Sequence, residues 1–427
     1  MKKYVTDINN KLYLKESIIK EKSITSDLIN TIKVDFNVVI TNFLGFGSAI
    51  TESSGFNYSK LSNDNKKRFL RDYYSKKGLN YYFGRISIGS NDFSLGAFSY
   101  SQKRDLSDFN LSNDHKYVIP FLKDILNQKQ ISLIASPWSP PKMYKRVPLL
   151  YFGIGLSKRH YENYSNYLIK YLEEYQRLGI NISYLTMQNE PLARQRWESC
   201  KFSIPRQKEF IYHYLLPKLK NTKLLLWDHN KDDLFSIVNE LYLDNPKIAG
   251  TCFHYYTGHN FHELKRVREN YPHMLLINSE MCCSYSPYNE NRWISSAEYY
   301  LTDIMGDMNS GVNAYLDWNI LLDEKGGPTY KKNYVKSASI LINDNYVKSP
   351  IYYYLYHVSH FLSGNDQIIK NTSYTKDLKV VSLKKGNKLI IVIMNNSNKC
   401  IDYNLVCNCK YVHDSINKHS IITYISE

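Results

Sequence analysis

An alternation restricts the fold of this chain more than any other feature. Eight apolar runs of strand length recur between residues 45 and 318, each ending on a polar or aromatic tip and followed by a longer helix-compatible stretch. They are Gly45–Thr51, Tyr81–Ile88, Ile131–Trp138, Ile182–Glu190, Lys223–Asp228, Thr251–Tyr256, Met274–Glu280 and Ala314–Trp318. Between them lie segments such as Tyr161–Leu178, whose apolar residues fall at helical spacing. Eight strand–helix repeats in about 300 residues predict a (β/α)8 TIM barrel. A doubly wound open sheet would alternate too, but its Gly-rich nucleotide fingerprint is missing.

The two ends follow a different pattern. Residues 346–427 carry short β-like runs, LKVVSL, KLIIVIM, YNLV and SIITYIS, among Asn/Lys turns, and residues 1–43 alternate in KLYLKESI and VDFNVVIT. The expected organisation is a catalytic barrel over 44–345, with 1–43 and 346–427 joining in one accessory antiparallel β-sandwich.

The formal net charge is +15. No concentrated Lys/Arg patch, zinc-finger spacing or RNP-like motif accompanies it, so nucleic acid is not an expected partner. Lysines spread over a solvated surface are the first explanation, and an anionic membrane surface is the second. The seven cysteines are scattered and odd in number, which predicts free thiols rather than a disulfide framework. No apolar signal core and no run of eighteen apolar residues occurs, so the expectation is a cytoplasmic or already processed chain. The oligomeric state is left open.

A strand that ends on Asn189-Glu190-Pro191 invites the plain reading of a strand stop with an exposed carboxylate. A second carboxyl, Glu280, closes the seventh run in MLLINSE. In a barrel the C-terminal strand tips converge on one face, so the two carboxyls would oppose each other across its mouth. Glycoside hydrolysis needs that pair: a proton donor on one side of the sugar bond, a nucleophile or base on the other.

The ordered motifs GFGSAITES (45–53), RISIGSNDFS (85–94), LIASPWSPP (133–141), TMQNEP (186–191), HYY (254–256), INSE (277–280), LDWN (316–319) and GGP (326–328) resemble glycoside hydrolase family 30, most of all its glucosylceramidase-type members. The resemblance runs from about Phe43 to the C-terminus and implies a retaining β-glycosidase with a barrel and a side β-domain. It makes Glu190 the acid/base and Glu280 the nucleophile. It also implies that Asn189 bonds the sugar 2-hydroxyl, that Asp92 and Trp138 hold hydroxyls farther round the ring, that Trp318 lines the apolar sugar face, and that Tyr256 bonds the carboxylate pair. Asn333 stands where the family has another site Asn.

Plainer readings stand beside these. Arg85 and His254 are strand-tip residues that serve either the substrate or the pairing of buried polar groups. Trp138 and Trp318 could be core aromatics, and Asp92, two residues before Ser94, could cap a helix. After NEP the chain reads LARQRWESC, shorter than the loop of animal glucosylceramidases and more like bacterial relatives.

The implied reaction is a double displacement with no metal and no organic cofactor. The charge of Glu280 is expected to raise the pKa of Glu190 and keep it protonated. Glucosylceramide or another β-glucoside is the implied substrate. A β-xylosidase, a β-fucosidase, an endo-β-1,6-glucanase and a catalytically silent carbohydrate- or lipid-binding protein are the alternatives.

Overall fold

The computed structural model describes residues 1–24, 28–284 and 290–426. Eight parallel strands close into a barrel in sequence order. They are β1 (Gly45–Ala49), β2 (Phe83–Ile88), β3 (Ser132–Pro137), β4 (Tyr184–Thr186), β5 (Lys223–Asn230), β6 (Ile248–His254), β7 (Leu275–Glu280) and β8 (Ala314–Asp317). β8 closes the ring on β1, with Ala314 opposite Gly45. Each strand lies within one of the eight apolar runs or overlaps it, because a strand covered on both faces has no solvent side to alternate with.

The barrel interior is layered. Phe83, Ile134, Leu225, Cys252, Ile277, Ala314 and Leu316 form an apolar plug. Side chains two residues farther along a strand share its face. Above Phe83, Ile134, Cys252 and Ile277 stand Arg85, Ser136, His254 and Ser279, all buried. The period-2 pattern therefore stacks a polar layer on an apolar one at the C-terminal end of the barrel.

Two strand irregularities adjust that layer. Along β6 and β5, Cys252 pairs with Trp227 and Phe253 with His229, so Asp228 is an extra residue. Trp227 and Asp228 have φ of 69° and 77°, a left-handed conformation that a bulky residue rarely adopts. Along β6 and β7, Phe253 pairs with Asn278 and His254 with Glu280, which makes Ser279 the extra residue. Bulges re-aim side chains near active sites. Here they bring Asp228 and Ser279 together, with Ser279 Oγ donating to Asp228 at 2.6 Å.

The accessory domain draws on both chain ends, as expected. Among the described residues it is one continuous ten-stranded sheet that curls over, with a single parallel pair, Thr31–Phe43 beside Ile401–Cys407, in an otherwise antiparallel order. Its own apolar core includes Ile32, Ile369, Ile391, Leu405 and Ile422. Tyr403 and Tyr424, from strands far apart in that order, touch through their hydroxyls at 2.5 Å, so the curled sheet meets itself as a sandwich would. Lys2–Asp7 and Ser420–Ile425 pair directly, which joins the two termini. The helix Pro350–Ser359 connects this sheet to the barrel, and its buried His357 touches Thr423 and Thr6 at 2.8 Å each. No described helix is long and apolar enough to cross a membrane, and all seven cysteines are unpaired.

Candidate active site

A cavity of about 450 Å³ opens at the C-terminal end of the barrel. Asp92, Trp138, Asn189, Glu190, Tyr256, Glu280, Trp318 and Asn333 all line it. Arg85 and His254 lie beneath its floor, where they pair with the residues above.

Glu280 is held at both oxygens. Tyr256 donates its hydroxyl to Oε1 at 2.9 Å, and Arg85 Nη1 donates to Oε2 at 2.6 Å. Burial pushes the Tyr256 phenol well up, so it remains a donor. Arg85 also reaches Asn189 Oδ1 at 2.6 Å and Asp228 Oδ2 at 2.9 Å, and its guanidinium lies 4.7 Å from the Trp138 ring centre. Burial alone would weaken that charge, but Asp228 and Glu280 outweigh it and hold the guanidinium charged.

Glu190 stands on the opposite wall. Oε1 lies 3.2 Å from His254 Nδ1, and the other ring nitrogen, Nε2, lies 3.2 Å from Asp228 Oδ1. Burial opposes charge on His254, yet Glu280, Asp228 and Glu190 push it up to about 9. The expectation that Glu190 is raised is therefore corrected. Burial does push it up, but the hydrogen bond and charge of His254 prevail and the net direction is down. The sequence argument weighed one neighbour, Glu280, and omitted the imidazolium in contact.

Asp228 received no role from the sequence, yet it organises this floor. Its carboxylate accepts from Arg85, Ser136, Thr186 and Ser279, and contacts His254. Burial would raise its pKa, but Arg85 and His254 hold it well below the usual carboxylate range. The only sequence signal was its place at the tip of the fifth run, in WDHN.

Asp92 and Asn333 are brought together, the Asn333 amide donating to Asp92 Oδ2 at 2.7 Å. Burial pushes Asp92 up to about 8. It caps no helix, because Asn91 supplies the local turn by accepting from Phe93 N. Trp138 and Trp318 stack on each other, with ring centres 5.4 Å apart and planes 20° apart, while both border the cavity. Gln195, Trp197, His229 and Cys282 also line it and were not foreseen.

Glu190, His254 and Glu280 each offer an atom within 4.8 Å of the others, a spacing that could hold a metal ion. Both imidazole nitrogens are, however, committed to carboxylates, and a ligating histidine must be neutral. The same spacing fits a sugar bond between two carboxyls.

Residues 43–362 match the model of the glycosyl hydrolase family 30 TIM-barrel domain. The chain belongs to glycoside hydrolase family 30. Within and around that family, mouse (Mus musculus) lysosomal acid glucosylceramidase is 29% identical over 83% of this chain and 75% of its own. The crystal structure of SrfJ from Salmonella typhimurium superposes with a TM-score of 0.96 at 27% identity, covering 100% of this chain and 99% of that one. An endo-β1,6-glucanase structure superposes at 0.86 with 25% identity, covering 99% of this chain and 98% of its own. Membership makes this family 30 protein a retaining glycoside hydrolase, and its relatives include proteins named as glucosylceramidases and as endo-1,6-β-glucanases.

Proposed function

We propose that this family 30 enzyme hydrolyses a β-glucosyl lipid, glucosylceramide first among them, with Glu280 as nucleophile and Glu190 as acid/base. One observation carries the chemistry: an oxygen of Glu190 and an oxygen of Glu280 lie within 4.8 Å of each other. Two carboxyls this close can flank one sugar bond, and the retaining chemistry of the family has one of them bond to the sugar while the other serves as acid and then base.

Glu280, oriented by Tyr256 and Arg85, attacks the anomeric carbon while Glu190 protonates the departing oxygen. His254 Nδ1 supplies the proton that Glu190 needs, and Asp228 stabilises the imidazole on its far side. Esterification of Glu280 removes its charge from the pocket. Glu190 then takes a proton from water as that water attacks the ester, and a second inversion restores the starting configuration. Asn189 is fixed by Arg85 toward the sugar 2-hydroxyl. Asp92, with Asn333, meets the hydroxyls remote from the bond that breaks, where binding energy supports the transition state.

The mouse relative's name supports glucosylceramide. The near-complete superposition on an endo-β1,6-glucanase supports β-1,6-glucan as the second reading. A panel of glucosylceramide in detergent, β-1,6-glucan, and chromogenic β-glucoside, β-xyloside and β-fucoside tests the choice. Preference for glucosylceramide sustains the proposal, and preference for the glucan or another sugar replaces it.

A further inference from the structure

Three charges are buried together behind the catalytic floor. Lys231 Nζ donates to Asp303 Oδ1 at 2.8 Å and to Asp307 Oδ1 at 2.7 Å, and none of the three side chains is more than 1% exposed. Both carboxylates come from one face of the helix Glu290–Met308, since helical residues four apart are neighbours. A Cβ on Gly306, between them, would meet the Phe261 ring at 2.0 Å, so only glycine lets that ring lie flush on the helix, 4.9 Å from the ammonium. Burial would discharge Lys231, but Asp307 and Asp303 outweigh it and hold it charged.

Each link from this cluster leads to a strand tip that carries part of the active site. Lys231 follows Asp228 by three residues, and its backbone N–H donates to His254 O at 3.1 Å. Asn278, two residues before Glu280 on β7, lies between Ile277 and Ser279, which face the barrel interior, so its own side chain points outward. There its amide donates to Asp307 Oδ2 at 2.9 Å. His259, three residues after Tyr256, sets Nδ1 3.0 Å from Asp303 Oδ1.

Tyr256 needs such an anchor. The pairing of β6 with β7 stops where His254 meets Glu280, so Tyr256 stands beyond the sheet. It is also 40% exposed, and packing holds it only in part. Its backbone is fastened on either side instead: Tyr256 N donates at 2.9 Å to Oδ1 of Asn230, the neighbour of Lys231, and His259 ties the far end of the loop to Asp303. The hydroxyl carried on this backbone is the one that donates to Glu280 Oε1. Both partners of that bond are thus referred to one helix, Tyr256 through Asp303, and Glu280 through Asp307 and Asn278. Stability alone does not account for the cluster, because apolar residues of similar volume stabilise a core as well as buried ions or better.

We infer that Lys231, Asp303 and His259 are positioning residues for hydrolysis: the buried ion cluster fixes the loop 255–260 and so sets the Tyr256 hydroxyl against the carboxylate of Glu280. The inference rests on the reading of Glu280 as nucleophile and not on the choice of aglycone.

A double-mutant cycle with the full chain tests it, using the glycoside that the wild type cleaves fastest. Asp303→Asn removes a charge at nearly constant shape, and His259→Ala removes a partly exposed anchor. Each should lower kcat by about 10–100-fold, as a misplaced reacting group does, with KM little changed. His259→Asn, which keeps a donor for Asp303, should restore most of the loss. In a Tyr256→Phe background, which has no hydroxyl left to misplace, the same two substitutions should cost less than about twofold. Unchanged kcat in variants whose melting point has fallen would make the cluster purely structural and overturn the inference. Losses that simply add to that of Tyr256→Phe would overturn it too. Labelling by a 2-fluoro-β-glucoside separates the two readings: additive losses with the label on Glu280 remove only the positioning role, whereas a label on another carboxylate removes the nucleophile reading and this inference with it.

Discussion

Arg85 places Nη1 2.6 Å from Oε2 of Glu280, and the arginine side chain has no exposed surface. An ion pair this deep is sensitive to loss of either partner. Arg85→Met leaves Glu280 and Asp228 without their shared cation and should destabilise the fold by about 3–5 kcal/mol. Arg85→Lys keeps a charge but cannot fork to Glu280, Asp228 and Asn189 together. The Lys variant should fold while kcat/KM falls about 100-fold, as a misplaced reacting group does. Melting curves and kinetics check both, and an unchanged melting point for Arg85→Met would contradict the account.

His254 and Glu190 hold one proton between them, and the charged imidazole keeps it until the pH rises through about 9. In His254→Gln only the carboxyl can hold that proton. The alkaline limb of the pH–rate profile should therefore move to lower pH, with a lower maximum. A pH profile on a substrate with a poor leaving group checks this. An unmoved limb would make His254 a purely structural residue.

Glu190→Ala should lose about 10²–10⁴-fold on substrates whose leaving oxygen needs a proton, and far less on an activated aryl glucoside. Azide should restore part of the lost turnover by giving a β-glycosyl azide, detectable by NMR. Equal losses on both substrates with no azide product would remove Glu190 from the acid/base role.

His357 ties the inter-domain helix to both terminal strands, and burial pushes it down to about 3. The unfolded chain takes up that proton near pH 6.5, while the folded chain stays neutral far below it. Its contribution to stability is complete above about 6.5 and is lost at about 1.4 kcal/mol per pH unit on the way down to about 3. His357→Gln should therefore show a shallower fall of melting temperature with acid than the wild type. Parallel slopes would exclude His357 as a source of acid lability.

The barrel was legible in the sequence because buried parallel strands have no solvent face, so each left a continuous apolar run. Glu190 and Glu280 were legible because each closes such a run. Asp228 was not. Its partners Arg85, Ser136 and Thr186 lie 143, 92 and 42 positions away, and the bulge that turns it inward leaves no residue-level signature. The charge state of Glu190 was misread for a related reason, since His254 reaches it only through the closed barrel. The continuous curl of the accessory sheet was equally hidden, because strand runs report alternation and not which edges join.

The most direct test of the account is to trap the covalent intermediate. A 2-fluoro-β-glucoside slows breakdown of a glycosyl ester more than it prevents its formation, so a retaining enzyme should accumulate one sugar on its nucleophile. Mass spectrometry of the digested protein should find a single added fluoroglucosyl group on the peptide containing Leu275–Glu280, absent from Glu280→Gln. A label on any other carboxylate, or a first product of inverted anomeric configuration, would contradict the assignment of Glu280 and the double displacement built on it.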